Sequence, residues 1–154
     1  MKFIFLTILV FYSAQLLAQN VDVCNKLECV DEDFKNKNYI KYYTILNKTL
    51  VDARGCKDNK KLDNVLEFTR KITKTGSRER MAQFIEKEFI NNPVCIFSAM
   101  ARISHEARYK TSLYLAKPTF MNGKKIKAIL DKYNKQYPEE VHLIITGAEL
   151  KYSK

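Results

Sequence analysis

Apolar residues recur at helical spacing along most of this chain, and this pattern constrains the fold more than any other feature of the sequence. Steps of three and four residues, which are typical of amphipathic helices, separate the apolar positions in five consecutive segments. The pattern predicts helices near residues 31–53, 62–75, 77–91, 93–116 and 124–137. No linker rich in Gly, Ser or Pro divides them. We therefore predict a mainly α, single-domain bundle of about five helices.

The C-terminal tail has a different pattern. Residues 141–146 are rich in β-branched side chains, and Gly147 with Ala148 could turn the chain back into residues 149–152. A β-branched run followed by a turn favours a hairpin. We expect a small C-terminal β-hairpin here, and a sixth short helix is the alternative.

The first eighteen residues have the composition of a secretory signal peptide. Lys2 supplies a positive start, an apolar run covers residues 3–17, and Ala18 offers a small residue for cleavage. We expect residues 1–18 to be removed and residues 19–154 to form the helical domain of a secreted or periplasmic protein. The alternative is an uncleaved anchor, although the apolar run would span only about 22 Å of a bilayer core of about 30 Å.

All four cysteines follow the expected cleavage point, and they are Cys24, Cys29, Cys56 and Cys95. An even number of cysteines in an exported chain predicts disulfides, and the sequence leaves three pairings open. Zinc sites usually contain a closely spaced pair such as C-x-x-C, and this chain has none. We expect two structural disulfides and no metal or other cofactor.

The chain is strongly basic, with a formal net charge of +10 that becomes +9 without Lys2. Lysine outnumbers arginine by 21 to 6, whereas nucleic-acid recognition favours arginine, so nucleic acid is not the expected partner. Two segments concentrate the charge. The first contains Arg70, Lys71, Lys74, Arg78 and Arg80 around a turn, and the second contains Lys124, Lys125, Lys127, Lys132 and Lys135.

The residues named in these two basic segments are predicted to bind the partner. An acidic protein surface is the expected partner, and an anionic membrane surface is the weaker alternative for the second segment. Lysines beside an apolar stripe also occur on ordinary solvated helices. The tyrosine cluster at Tyr39, Tyr42 and Tyr43 has the same two interpretations, because tyrosine is common both at binding surfaces and at the edges of small cores.

No residue pattern in the chain predicts catalysis. His105 and Glu106 begin an H-E pair, but Tyr109 stands where a zinc protease needs its second histidine. With only four glycines, the chain also lacks the glycine-rich loops that hold phosphate groups. The sequence therefore does not indicate an enzyme.

The leading hypothesis is an exported, non-enzymatic binding protein that acts through a protein partner, such as a periplasmic inhibitor or immunity protein against a secreted toxin. One alternative is a carrier of a small apolar ligand, with a cavity lined by Phe84, Phe89, Phe97 and Met100. The other is a hydrolase of envelope polymers with an unrecognised site, for which the candidates are His105, Glu106 and His142.

Overall fold

The computed structural model describes Leu27, Val30 and residues 32–73 and 75–149. These ranges contain eight α-helices and no β-strand. The helices are α1 (Glu32–Lys37), α2 (Tyr39–Asp52), α3 (Asn59–Phe68), α4 (Thr75–Asn91), α5 (Pro93–Arg102), α6 (His105–Ala116), α7 (Gly123–Tyr133) and α8 (Pro138–Glu149). The mainly α fold is confirmed, but it is built from more and shorter helices than the expected five. None of the helices in the described ranges is long and apolar enough to cross a bilayer.

The segment 93–116, expected as one long helix, is two helices that meet at Ile103 and Ser104. The Ser104 hydroxyl accepts a hydrogen bond from the backbone N–H of Ala107 and so caps α6. The carboxyl group of Glu67, on α3, accepts from the Ser104 backbone N–H and from its hydroxyl. Arg108 bridges the break from the other side, because its Nε donates to the carbonyl of Met100 at 2.7 Å. The first predicted segment is likewise divided, at Asn38.

The hairpin expected at the C-terminus is wrong for residues 141–149, which belong to α8. The helix begins at Pro138 and carries Glu139 and Glu140 in its first turn, where acidic side chains complement the helix dipole. It packs against α6 so closely that a Cβ atom on Gly147 would lie 3.4 Å from the hydroxyl oxygen of Ser112. Burial against α6 outweighs the β preference of the branched side chains. Residues 150–152 lie outside the described ranges.

The core contains the four side chains expected to line a ligand cavity. Phe89, Phe97 and Met100 are each 0% exposed, and Phe84 is 6% exposed. The Phe89 and Phe97 rings meet edge to face with their centroids 5.1 Å apart, and Phe97 stacks on Tyr137 at 4.8 Å. All four side chains belong to the hydrophobic core of the described ranges.

Within the described ranges, one disulfide joins Cys56, in the turn after α2, to Cys95 in α5. The chain reaches this bond through two left-handed residues, Gly55 at a φ of 68° and Cys56 at a φ of 57°. Left-handed backbone suits glycine and strains most other residues. Glu88 holds the turn by accepting the Gly55 N–H at 3.0 Å. Cys24 and Cys29, the other two cysteines of the predicted framework, lie outside the described ranges.

Candidate functional site

The first basic segment does not form one patch, because α4 divides it. Arg78 and Arg80 are two residues apart on this helix, so their side chains leave on nearly opposite sides. Arg80 turns toward α2, where its Nη1 donates to Asn47 Oδ1 at 2.8 Å. Arg78 turns toward Tyr114 on α6. The two arginines therefore belong to two separate surfaces.

The other members of this segment are placed differently again. Arg70 is in a short 3-10 turn after α3, where its Nε forms an ion pair with Glu67 Oε2 at 2.8 Å. Lys71 is in the same turn and is exposed. Lys74 lies outside the described ranges.

The second basic segment is the solvent side of α7 and the turn that follows it. Lys124, Lys125, Lys127, Lys132 and Lys135 are all exposed. Lys127 forms an ion pair with Asp131 at 3.1 Å, and the Lys132 ammonium lies 5.1 Å from the ring centroid of Tyr133. The apolar stripe of the helix is packed inward, with Ile126 and Leu130 buried. This helix therefore presents its charged side chains to solvent and packs its apolar face against the core.

The most exposed apolar side chains of the described ranges include two neighbours at the start of α2. Tyr39 is 62% exposed and Ile40 is 82% exposed. The Tyr39 ring packs edge to face on Tyr43 at 4.7 Å, and the Arg80 guanidinium lies over the Tyr43 ring at 4.8 Å from its centroid. We name this surface of Tyr39, Ile40, Tyr43 and Arg80 the tyrosine–arginine face.

A buried lysine supports the tyrosine–arginine face from below. Lys35 is 6% exposed, its Nζ donates to Ser77 Oγ at 3.1 Å, and Tyr42 donates to the same oxygen at 3.0 Å. Burial raises the pKa of Tyr43, but hydrogen bonds with Ser77 and Lys35, the charge of Lys35 and a hydrogen bond with Tyr39 together lower it below the ordinary 10.0. Ser77 is itself 0% exposed, so this contact is buried. Lys35 joins α1 to α4 through this serine, and Tyr42 joins α2 to the same residue.

The second surface is a cleft of about 420 Å³ between α4, α6 and the loop after α6. Arg78, Lys110 and Lys117 bring positive charge to it, and Tyr114 and Phe120 bring aromatic surface. Burial raises the pKa of the Tyr114 hydroxyl above 10.0, while the charge of Arg78 and a hydrogen bond with it offset part of the rise. We name these five residues the basic cleft.

The loop that carries Phe120 is held by one buried carboxyl group. Glu86 on α4 is 0% exposed. Its Oε1 accepts the backbone N–H of Thr119 at 2.9 Å, and its Oε2 accepts those of Phe120 and Met121 at 2.8 Å each. A charge-assisted hydrogen bond is stronger than a neutral one, and three of them converge here. The wall of the basic cleft therefore has a defined position.

The candidate hydrolase residues lie apart from both surfaces. His105 and Glu106 are exposed on the first turn of α6, and His142 is exposed on α8. None of the three lines the basic cleft. The described ranges hold no group of three or more His, Cys, Asp or Glu side chains arranged to bind a metal ion.

Comparison of the chain with known protein families, with characterised proteins and with solved structures finds no match to any of them. The two surfaces are therefore interpreted from their own geometry and charge.

Sequence reasoning missed Lys110, Tyr114, Lys117 and Phe120, because they join Arg78 only through the packing of α6 on α4. A signal was present for Ile40. This residue lies two positions before the buried Tyr42 and so about 200° away from it around the helix, which indicates an apolar side chain on the solvent face.

Proposed function

We propose that this protein is an exported, non-enzymatic binding protein, and that an acidic protein partner docks on the tyrosine–arginine face. A periplasmic inhibitor or immunity protein that masks a secreted toxin is the particular role that we propose. Export rests on the signal-like sequence of residues 1–18.

The exposure of Tyr39 and Ile40 beside Arg80 is the observation that most supports this proposal. Tyrosine and arginine are enriched among the residues that dominate binding energies at protein interfaces. Here a tyrosine pair and an arginine are already packed together, so little conformational freedom is lost when a partner binds.

The charge around the face indicates an acidic partner. Lys37, at the end of α1, and Lys48, on α2, are both exposed, while Asp52 is the one acidic residue of α2. Opposite charge on a partner would speed the encounter and select against basic proteins.

An affinity capture tests the proposal. The oxidised protein is immobilised, exposed to the extracytoplasmic fraction of its own source, and washed at about 0.3 M salt so that weak charge contacts are screened. One protein retained in stoichiometric amount, and released by adding the free binding protein, is the expected result. Its affinity is then measured against the variants below.

Tyr39→Ala with Ile40→Ser is expected to weaken binding at least about tenfold, and Arg80→Gln is expected to do the same. Ile145→Ser is the matched apolar control, because Ile145 is 46% exposed on the distant helix α8. Lys57→Gln is the matched charge control, because Lys57 is exposed in the turn before α3. Equal losses in test and control variants, or retention of no single protein, would contradict the proposal.

A further inference from the structure

We propose that the basic cleft binds a small organic anion, with its carboxylate or phosphate group near Arg78 and Lys110 and its apolar or aromatic body against Tyr114 and Phe120. This site is separate from the tyrosine–arginine face, because Arg78 and Arg80 leave α4 on opposite sides. The inference therefore does not depend on the proposed protein partner.

The charges at the cleft favour an anion. Arg78, Lys110 and Lys117 line it together with one carboxylate, Glu79. Lys110 and Lys117 are half-buried, and a charge that is partly shielded from water interacts more strongly with a ligand than a fully solvated one does. Within the described ranges, Lys110 forms no ion pair. The planar guanidinium of Arg78 can also hold two oxygens of a carboxylate or phosphate at once.

The apolar side of the cleft favours a ligand that carries more than its charge. The Phe120 side chain is 42% exposed, and it lines the same cleft as Tyr114, Leu113 and Ile72. An exposed aromatic ring beside a concave surface gains contact area when an apolar group covers it. The volume of about 420 Å³ lies in the range that small-molecule sites occupy.

The cleft is formed before any ligand arrives. The three hydrogen bonds from residues 119–121 to the Glu86 carboxyl hold Phe120 at its place in the wall. A site that is already formed loses less conformational entropy on binding than one that must assemble. In a flexible loop the Phe120 ring would occupy many positions, whereas in this loop the ring is held at the wall of the cleft.

Binding of four probes to the full, oxidised protein tests the inference by calorimetry and by NMR shifts of the cleft amides. Phenyl phosphate and hexanoate carry both an anion and an apolar body. Benzyl alcohol lacks the charge, and inorganic phosphate lacks the body. We expect saturable binding of one molecule of phenyl phosphate or hexanoate, at least about tenfold tighter than that of either incomplete probe.

Two variants and two controls assign the site. Arg78→Gln with Lys110→Gln should weaken the anionic probes at least about tenfold, and Phe120→Ala should weaken phenyl phosphate severalfold. The double variant Lys57→Gln with Lys60→Gln is the charge control, because it removes two exposed positive charges, one in the turn before α3 and one in α3. Ile145→Ala is the apolar control, because it removes an exposed apolar side chain on α8. Both controls should leave binding unchanged.

The inference is overturned by any of three results. These are no saturable binding of phenyl phosphate or hexanoate at millimolar concentrations, equal binding of the charged and neutral probes, and equal losses in the cleft variants and their controls. None of these results bears on the capture experiment, because that experiment reports on the opposite side of α4.

Discussion

Two glutamates on α4 hold two loops in place, and they do so by different means. Glu88, which is 5% exposed, accepts hydrogen bonds from the Gly55 N–H and from Asn92 Nδ2, both at its Oε2. Beside it the chain is also closed by the Cys56–Cys95 disulfide. Glu86 lies two residues earlier and is fully buried, and it uses both carboxyl oxygens to hold residues 119–121 without any covalent help.

The difference shows which loop depends on the carboxylate. An amide in place of Glu88 can keep its one carbonyl oxygen where both donors reach it. An amide in place of Glu86 must turn an N–H₂ group toward at least one backbone N–H, which leaves a buried donor facing another donor. The disulfide side is therefore robust to loss of charge, whereas the cleft side depends on it.

Removal of the disulfide should cause the largest loss of unfolding free energy. Cys56 and Cys95 are 39 residues apart, and closing a loop of this length stabilises a fold by about 4 kcal/mol, mainly by restricting the unfolded chain. We expect Cys56→Ser with Cys95→Ser to lower the free energy of unfolding by that amount in urea titrations. Amide exchange at residues 119–121 should change only as much as global stability does. Selective exposure of that loop would show that the two sides are not independent.

Replacement of Glu86 should cause the second-largest loss of unfolding free energy. We expect Glu86→Gln to cost about 3 kcal/mol of unfolding free energy, because buried donors lose their acceptor. Glu88→Gln is the matched control, with an expected loss of about 1 kcal/mol. Urea titration measures both losses, and hydrogen exchange should show faster opening of residues 119–121 only for Glu86→Gln. Similar losses in the two variants would mean that stability does not depend on how many carboxyl oxygens accept the hydrogen bonds.

The smallest expected loss of stability concerns Glu67, whose carboxyl group is more exposed than those of Glu86 and Glu88. This loss should also depend on pH. Burial raises the pKa of Glu67, but hydrogen bonds from Ser104 and the charge of Arg70 lower it below its ordinary value of 4.5. A carboxyl group with a lowered folded-state pKa stabilises the fold above its unfolded-state pKa, and this contribution is lost as the pH falls through the folded-state pKa.

We therefore expect Glu67→Gln to destabilise the protein by about 1 kcal/mol at neutral pH. The difference from the unmodified protein should shrink as the pH falls below 4.5. Urea titrations across acidic and neutral pH measure this. Asp131→Asn serves as the control, since its ion pair with Lys127 is exposed and should contribute little. A difference that stays constant with pH would assign the effect of Glu67 to packing.

The helical class of the fold could be predicted because the spacing of apolar residues depends on local geometry alone. The break at Ser104 could not, since Ile103 and Ala107 continue the helical spacing across it and Glu67 stabilises it from another helix. The helical tail was expected only as the alternative to a hairpin, for a related reason. Pro138 and the two glutamates after it are a helix start, but the branched residues that follow favour strand until α6 is there to bury them.

The candidate surfaces were predictable in part. Arg78 and Arg80 were expected among the partner-binding residues, and the structure shows that both are exposed. That they serve two surfaces follows from α4 extending past both of them, with α2 on one side and α6 on the other. A buried lysine beneath the tyrosine–arginine face was not foreseeable, because the charge of Lys35 gives no sign of burial without its contacts to Ser77 and the tyrosine rings.

The Cys56–Cys95 bond also determines how the chain would respond to a pulling force. The two Cα atoms are 6.2 Å apart, whereas a fully stretched chain of 39 residues would reach about 130 Å. A force applied to the two ends passes through the sulfur atoms and leaves α3 and α4 outside its path. Those helices, with Glu86 and Glu88 and with Arg78 and Arg80, could lose their structure under load and yet add no length until the bond is reduced.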